Sequence, residues 1–252
     1  MQLKDVAVFI TGGGSGLGAA TARAMSAKGA KVSVFDRSQE NAEKVAAEIN
    51  GLAVIGDVTS ESDVQAALAK AEAAHGTARV LVNCAGIGGS QRIVGKQGVY
   101  PLDKFTNVIM VILIGTFNCL RLFAEKLVPV ETVGEERGVI INTASVAAYE
   151  GQIGQIAYAA SKGGIVGLTL PAARDLSSQK IRVNTIAPGL FKTPLLMGLS
   201  EEAQASLGAQ VPHPARLGDA SEYGSLAVHI VENPMLNGET IRLDGAIRMA
   251  PR

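Results

Sequence analysis

The sequence predicts an α/β fold in which helices cover both faces of a parallel β-sheet. Seven short apolar runs alternate with alanine-rich helical segments along the 252 residues. Most of these runs are nearly continuous in apolar residues and lack the regular alternation of a half-exposed strand, which is typical of strands buried inside a parallel sheet. Since no low-complexity linker divides the chain, we expect one domain over residues 1–252.

The predicted strands follow one another at spacings that leave room for a helix between most of them. They lie at residues 6–10, 31–35, 52–55, 80–83, 138–142, 181–186 and 239–243. Helical patterns separate them, for example at 19–28 and 39–49. Two segments rich in glycine, proline and polar residues, 86–101 and 188–214, follow strands. We predict that they are ligand-binding loops, because open parallel sheets bind ligands at the carboxyl ends of their strands.

The composition indicates a globular protein without a strongly charged partner. Hydrophobic residues make up 47% and charged residues 18% of the chain, and 23 basic residues balance 23 acidic ones. This balance argues against binding to nucleic acid or to an anionic membrane surface. Cys84 and Cys119 are the only cysteines, which excludes a disulfide framework or a cysteine metal site. We therefore expect no metal.

The N-terminal residues predict the compartment of the protein. Residues 1–10 lead directly into a strand and then a glycine-rich turn, which leaves no room for a signal or transit peptide. No apolar run reaches the length of a membrane span. We therefore expect a soluble cytoplasmic protein.

A glycine-rich turn follows the first predicted strand and opens a helix. It reads Thr-Gly-Gly-Gly-Ser-Gly-Leu-Gly over residues 11–18. Glycines permit a tight turn and a close approach of the backbone to a pyrophosphate, and the helix N-terminus favours negative charge. We therefore predict a dinucleotide-binding site. The expected contacts are Gly12, Ser15, Gly16, Leu17 and Gly18.

Two acidic residues at strand ends bear on the identity of the dinucleotide. Asp36 ends the second strand, where a carboxylate accepts hydrogen bonds from an adenosine ribose and repels a 2′-phosphate. We therefore predict NAD, although the adjacent Arg37 could bind a phosphate instead. Asp57 and Val58 follow the third strand, in a position to meet the adenine. Asp57 could equally cap the next helix, with help from Thr59 or Ser60.

The fourth strand ends in a run of small residues. Small side chains at this point let the backbone pass close to a cofactor. A packing role is favoured over a reactive thiol for the cysteine in this run. The predicted cofactor contacts here are Asn83, Cys84, Ala85 and Gly86.

Tyr158 and Lys162 form the candidate catalytic pair. They lie four residues apart, so on a helix they share one face. A nearby cation favours the phenolate, and lowering the pKa of a phenol from ~10 to near neutrality needs about 4 kcal/mol of differential stabilisation. The pair would then act as a general base for an alcohol proton, with Ser145 as a partner. Alone, the spacing favours an exposed tyrosine beside a solvated lysine, and it is the rest of the chain that favours the catalytic pair.

Taken in order, these motifs resemble those of the short-chain dehydrogenase/reductase family. The match extends over nearly the whole chain and includes Asn184 and the dipeptide Pro188-Gly189. The resemblance implies a doubly wound Rossmann fold with seven parallel strands, usually in a homotetramer. It assigns the substrate oxygen to Ser145, acid/base chemistry to Tyr158, and the nicotinamide ribose to Lys162, which would also lower the pKa of the tyrosine. Pro188 and Thr193 would contact the cofactor, Thr193 at the carboxamide.

A narrower resemblance is to the type II 3-hydroxyacyl-CoA dehydrogenases. It rests on the segments at residues 151–155, 169–176, 187–194 and 232–249 and on the long segment 86–101. That branch oxidises 3-hydroxyacyl-CoA to 3-ketoacyl-CoA with NAD in fatty acid metabolism. By this resemblance Gln152 would line the substrate pocket beside Ser145, and Phe191 would pack near the cofactor.

One position departs from the family pattern. Most members place an asparagine three residues before the glycine of a Gly-Thr-Phe run and use it in a water relay to the lysine, whereas this chain has Ile112 there. We expect either a relay through backbone and water or a slower enzyme. Two alternatives remain open: a dehydrogenase of steroids or other secondary alcohols, and a catalytically idle NAD-binding scaffold.

Overall fold

The predicted α/β fold with a seven-stranded parallel sheet is confirmed in a computed structural model that describes residues 1–96, 98–198 and 200–251. Each predicted strand is found, with its ends moved by at most two residues. The strands are β1 (Ala7–Thr11), β2 (Lys31–Asp36), β3 (Leu52–Ile55), β4 (Val80–Asn83), β5 (Val94–Gly95), β6 (Gly98–Val99), β7 (Gly138–Thr143), β8 (Ile181–Pro188) and β9 (Thr240–Leu243).

The order of the strands fixes where a ligand can bind. The parallel sheet runs β3-β2-β1-β4-β7-β8-β9, while β5 and β6 form a separate antiparallel hairpin. The chain reverses its direction of winding between β1 and β4, and a crevice opens at such a switch point beyond the carboxyl ends of the strands. The switch point is therefore the expected place of a ligand.

Ten α-helices connect the strands of the described chain. They are α1 (Gly16–Ala27), α2 (Gln39–Glu48), α3 (Glu61–His75), α4 (Leu102–Ile109), α5 (Gly115–Leu127), α6 (Ala147–Glu150), α7 (Ile156–Asp175), α8 (Pro194–Met197), α9 (Glu201–Ala209) and α10 (Ala220–Glu232). Side-chain caps start several of them, such as Ser38 at α2 and the capping box of Asp219 with Glu222 at α10. Segments 86–101 and 188–214, predicted as loops, contain the hairpin and helices α8 and α9.

The core has two layers because successive residues of each strand face opposite sides of the sheet. Ile10 and Val82 pack on one side with helices α1 and α10. Phe9 and Leu81 pack on the other side with helices α3 and α5. All four side chains are fully buried, so the strands are fixed on both faces, as predicted from their continuous apolar sequence.

One helix contradicts an expectation from the sequence. Helices α4 and α5 are joined by a π-helical turn, Met110–Ile114, into one helical rod, Leu102–Leu127, of 26 residues. By length and apolar composition alone this rod could cross a membrane, so the expectation that no apolar run reaches that length is wrong. However, 61% of its most apolar stretch is buried inside the protein. The rod packs as a core helix of the fold.

Candidate active site

A cleft of about 640 Å³ opens at the switch point between β1 and β4. The glycine-rich turn and Asp36 line one end, and Tyr158 and Lys162 line the other. The structure therefore brings together most of the predicted cofactor contacts, although they are scattered along the sequence. Those that line the cleft are Gly12, Ser15, Gly16, Leu17, Gly18, Asp36, Val58, Cys84, Ala85, Gly86, Tyr158, Lys162, Pro188 and Thr193.

The glycine-rich turn forms a cradle that side chains would fill. Gly12 has a φ of +63°, and a Cβ there would lie 2.7 Å from the backbone nitrogen of Ala85. A Cβ at Gly18 would overlap the carbonyl oxygen of Gly12. Ser15 begins α1 without a side-chain cap, which leaves the first N–H groups of the helix available to an anion. The cradle therefore fits the pyrophosphate of a dinucleotide.

Backbone N–H groups hold the carboxylate of Asp36 in place at the end of β2. Its carboxylate accepts hydrogen bonds from the backbone nitrogens of Gly14 and Ser38, at 3.0 Å each. These bonds fix the carboxylate beside the glycine-rich turn. Its position fits the recognition of a ribose diol next to the pyrophosphate.

Asp57 has a different structural role from the cap that one interpretation gave it. Ser60 caps α3 by accepting a hydrogen bond from the backbone nitrogen of Asp63. Asp57 instead accepts bonds from the backbone nitrogen and hydroxyl of Thr59, at 2.9 and 2.8 Å. It also pairs with Arg37 at 3.4 Å. The cap interpretation is therefore wrong.

Besides Asp57, two predicted cofactor contacts, Asn83 and Phe191, do not line the cleft. Asn83 is buried in the sheet, where its amide donates to the side-chain oxygen of Asn142 at 2.9 Å. Phe191 is buried in the core, and its ring occupies the space that a Cβ on Gly218 would need. Any contact of these two residues with a cofactor is thus restricted to their backbones. Sequence motifs do not show which atom of a residue faces the cleft.

Tyr158 and Lys162 lie in the first two turns of α7. Lys162 is buried, its Nζ lies 5.6 Å from the centroid of the Tyr158 ring, and it donates a 2.6 Å hydrogen bond to the carbonyl oxygen of Thr143. Burial lowers the pKa of Lys162 to about 8. The helical spacing thus places phenol and amine in one cleft, as predicted.

The pKa of Tyr158 differs from the expectation. Burial raises the pKa of the phenol, and hydrogen bonding with Ser145 opposes this effect without reversing it. The predicted lowering by Lys162 is not found, because the lysine amine is bonded to a main-chain oxygen while desolvation acts on the phenol. The surroundings made by the protein alone therefore keep Tyr158 protonated at neutral pH.

Ser145 and Gln152 lie on the other side of Tyr158, before and after α6. The Ser145 hydroxyl accepts a hydrogen bond from the backbone nitrogen of Ala147 at 3.2 Å. Gln152 donates to the carbonyl oxygen of Ala250 at 3.0 Å. Ser145 thus lies beside the phenol, whereas the Gln152 side chain binds the C-terminal tail, residues 244–251.

A cluster of charged residues that was not found from the sequence holds the tail. Glu150 receives two hydrogen bonds from Arg242, at 2.7 and 3.0 Å, and a third from the backbone of Met249 at 3.2 Å. Arg242 also donates to Asp244 at 2.7 Å. We call Glu150, Arg242, Asp244 and Arg248 the tail clamp. An arginine inside an apolar strand was the one signal in the sequence.

Ile112 lies in the π-helical turn and is fully buried. It packs in an apolar cluster with Ala144 and Ile165, against which Tyr158 is also packed. The part of the protein that packs against Tyr158 is therefore apolar.

Within the described residues, His, Cys, Asp and Glu side chains form no cluster that could hold a metal ion.

Comparison with known proteins places the chain in a family. The model of the family described as short chain dehydrogenase matches residues 6–204. Human 3-hydroxyacyl-CoA dehydrogenase type-2 is 53% identical, over 99% of this chain and 98% of its own length. The crystal structure of 3-hydroxyacyl-CoA dehydrogenase type-2 from Mycobacterium avium is 44% identical, with a TM-score of 0.94 over 98% of this chain and 97% of the other.

A more distant structure retains the same architecture. It is the crystal structure of 3-ketoacyl-(acyl-carrier-protein) reductase from Brucella melitensis complexed with NADH. It is 29% identical, with a TM-score of 0.88 over 98% of this chain and all of the other. The predictions of a dehydrogenase and of its family are thus confirmed. The chain belongs to the short chain dehydrogenase family and is an NAD-dependent oxidoreductase.

Proposed function

We propose that the chain forms one dehydrogenase domain that interconverts 3-hydroxyacyl-CoA and 3-ketoacyl-CoA with NAD. The observation that carries the proposal is the single cleft that joins the glycine-rich turn and Asp36 to Tyr158 and Lys162. The substrate class is supported by the relatives named 3-hydroxyacyl-CoA dehydrogenase type-2, which match nearly the full length of the chain.

The residues present fit the cofactor along the whole cleft. The turn at residues 11–18 would hold the pyrophosphate, Asp36 the adenosine ribose, and Asp57 with Val58 the adenine. The run at 83–86, Pro188, Phe191 and Thr193 would contact the nicotinamide half, with Tyr158 and Lys162 at its ribose. When bound, NAD supplies the hydride acceptor and a positive charge.

The proton is handled by side chains of this protein. In the oxidation direction Tyr158 accepts the proton of the alcohol, and Ser145 donates a hydrogen bond to the charge that develops on the substrate oxygen. The phenol needs added positive charge to ionise, because burial raises its pKa. Lys162 is an ammonium below about pH 8, since its pKa is lowered to about 8. It does not by itself lower the pKa of the phenol, so the positive charge that bound NAD would add is needed as well.

The surface beside Tyr158 suits an acyl substrate. Ala144 belongs to the apolar cluster against which Tyr158 and Ile87 pack, and both Ala144 and Ile87 line the cleft. Apolar lining with few polar groups is typical of a site that binds a small organic substrate. Gln152 would be a second polar contact for the substrate besides Ser145, although its amide is bonded to the tail.

Reduction of acetoacetyl-CoA with NADH tests the proposal. We expect turnover with NADH and little with NADPH, since Asp36 stands where a 2′-phosphate would lie. A panel of steroid and other secondary alcohols with NAD serves as the comparison. Faster turnover of one of these alcohols would contradict the acyl-CoA substrate. Tight NADH binding without turnover of any substrate would favour an idle scaffold.

We also propose a homotetramer that acts in the cytoplasm in fatty acid metabolism. Its support is an exposed apolar surface along the helical rod and α7, which includes Met110, Ile114, Phe117, Ile156 and Leu170. Sedimentation of the wild type and of Phe117→Asp checks this, since a charge at a shared interface should reduce the mass of the particle. Cell fractionation checks the location.

A further inference from the structure

A buried pair of hydroxyl groups lies beneath the catalytic lysine. Tyr223, on α10, is fully buried, and its hydroxyl oxygen lies 2.7 Å from Oγ1 of Thr143 at the end of β7. Neither residue was expected from the sequence to take part in the site. No step of the proposed mechanism uses either of them.

The direction of the hydrogen bonds follows from counting protons. Oγ1 of Thr143 lies 2.6 Å from the carbonyl oxygen of Asn83. A carbonyl only accepts, so the single hydroxyl proton of Thr143 is donated to Asn83. The hydroxyl of Tyr223 must therefore donate to Thr143. Tyr223 thus fixes the Thr143 side chain through a bond that has one possible direction.

The main chain of Thr143 extends this contact to the catalytic pair. Its carbonyl oxygen accepts the 2.6 Å hydrogen bond from Nζ of Lys162. Thr143 is therefore bonded to Tyr223 through its side chain and to Lys162 through its backbone. A shift of this residue would move the oxygen that orients the amine of Lys162, and the cleft beside Tyr158 would change with it.

The titratable groups around Lys162 let its own ionisation be measured. They are Tyr158 on the same helix, Cys84 after β4 and Tyr223 on α10, and burial raises the pKa of each. All three therefore stay neutral near pH 8, where Lys162 titrates. Among these four groups, a titration observed near that pH therefore belongs to the lysine.

We propose that Tyr223 is a positioning residue: through Thr143 it fixes the carbonyl oxygen that orients the ammonium of Lys162 beside Tyr158. This inference rests on the proposed function only for its kinetic consequence. The bonded chain from Tyr223 through Thr143 to Lys162 stands on geometry alone. The two parts can therefore be tested separately.

The test compares Tyr223→Phe, which removes one oxygen, with Tyr149→Phe, which changes an exposed tyrosine outside this chain of bonds. The pKa of Lys162 is measured from the ¹⁵N resonance of its amine, without turnover. We expect Tyr223→Phe to lower this pKa, because a misplaced carbonyl stabilises the ammonium less. The alkaline limb of the acetoacetyl-CoA reduction profile should move to lower pH, with kcat reduced about 2- to 10-fold and KM unchanged.

Further variants keep the proposal falsifiable if Tyr223→Phe does not fold. Thr143→Val should show the same shift in the pKa of Lys162, Thr143→Ser should restore the wild-type value, and the double variant should add little to either single change. A lower melting temperature with an unchanged pKa of Lys162 and an unchanged profile would overturn the proposal, since Tyr223 would then only stabilise the fold. Absence of wild-type turnover would contradict the proposed function and leave the resonance measurement valid.

Discussion

The two ends of the cleft are built in different ways. The cofactor end consists mainly of the backbone of the glycine-rich turn at residues 11–18. Its main side chain is that of Asp36, whose carboxylate is itself held by the backbone nitrogens of residues 14 and 38. The end with Tyr158 and Lys162 depends on side chains brought together from distant parts of the chain, such as Tyr223 with Thr143 and Lys162 with the backbone of Thr143. A site made of backbone is specified by a short motif, whereas a site made of side chains is specified by the whole fold.

Tyr158→Phe should have the largest effect, and only on the catalytic step at the end of the cleft with Tyr158 and Lys162. Removal of the phenol oxygen takes away the acid/base, so kcat should fall by about 10²–10⁴-fold. NADH affinity should stay near wild type, because most of the cofactor contacts are made by other residues. Kinetics with acetoacetyl-CoA and fluorescence titration with NADH measure the two quantities. Near wild-type turnover would show that Tyr158 is not the acid/base.

Gly18→Ala should damage the opposite end. The added Cβ would overlap the carbonyl oxygen of Gly12, so α1 must move away from the turn. We expect NADH affinity to fall about 10- to 100-fold, as strain of this kind costs about 1–3 kcal/mol. The matched control is Gly167→Ala, where no atom outside the adjacent backbone of the same helix lies within 4 Å of the new Cβ. Equal NADH affinity in both variants would contradict the binding of the cofactor at the glycine-rich turn.

Asp36→Ala should weaken the same end less and change its selectivity. Loss of hydrogen bonds to a carboxylate should reduce NADH affinity about tenfold. NADPH should gain relative to NADH, because the charge that repels its phosphate is removed. Asp36→Asn keeps an acceptor without the charge and so separates the two effects. An unchanged preference in both variants would mean that Asp36 does not select the cofactor.

Glu150→Gln should have the smallest effect and leave the cofactor end intact. The variant weakens three hydrogen bonds in the partly buried tail clamp, which should cost about 1–2 kcal/mol of unfolding free energy. Hydrogen exchange should rise over residues 244–251, and KM for the acyl-CoA should increase. The surface pair of Arg23 and Glu48 gives the control, because Glu48→Gln should cost at most about 1 kcal/mol. An increase in the Kd for NADH in Glu150→Gln would contradict the expectation that the two ends of the cleft act independently.

The sequence predicts the cofactor end well because its signals are local. Continuous apolar runs predict all seven parallel strands, and the turn after the first strand predicts the cradle. The pair of Tyr158 and Lys162 is also found, since a helix converts their spacing into proximity. These features can be predicted from the hydrophobic periodicity of the sequence and the chemistry of single residues.

The remaining features depend on contacts between residues far apart in the sequence. Glu150 lies 92 positions from Arg242, and Thr143 lies 80 positions from Tyr223. No spacing rule predicts such pairs. The raised pKa of Tyr158 was missed for a related reason, since the depth of its burial follows from packing rather than from its neighbour Lys162.

The π-helical turn in the rod has a consequence for how one helix serves two neighbours. A π-turn contains about one residue more than an α-turn, and each residue rotates a helix by about 100°. The apolar stripe of α5 is therefore out of phase with that of α4. This offset lets α4 contact α7, the helix that carries Tyr158, while α5 contacts α3. A single inserted residue thus lets one continuous rod pack against two different helices.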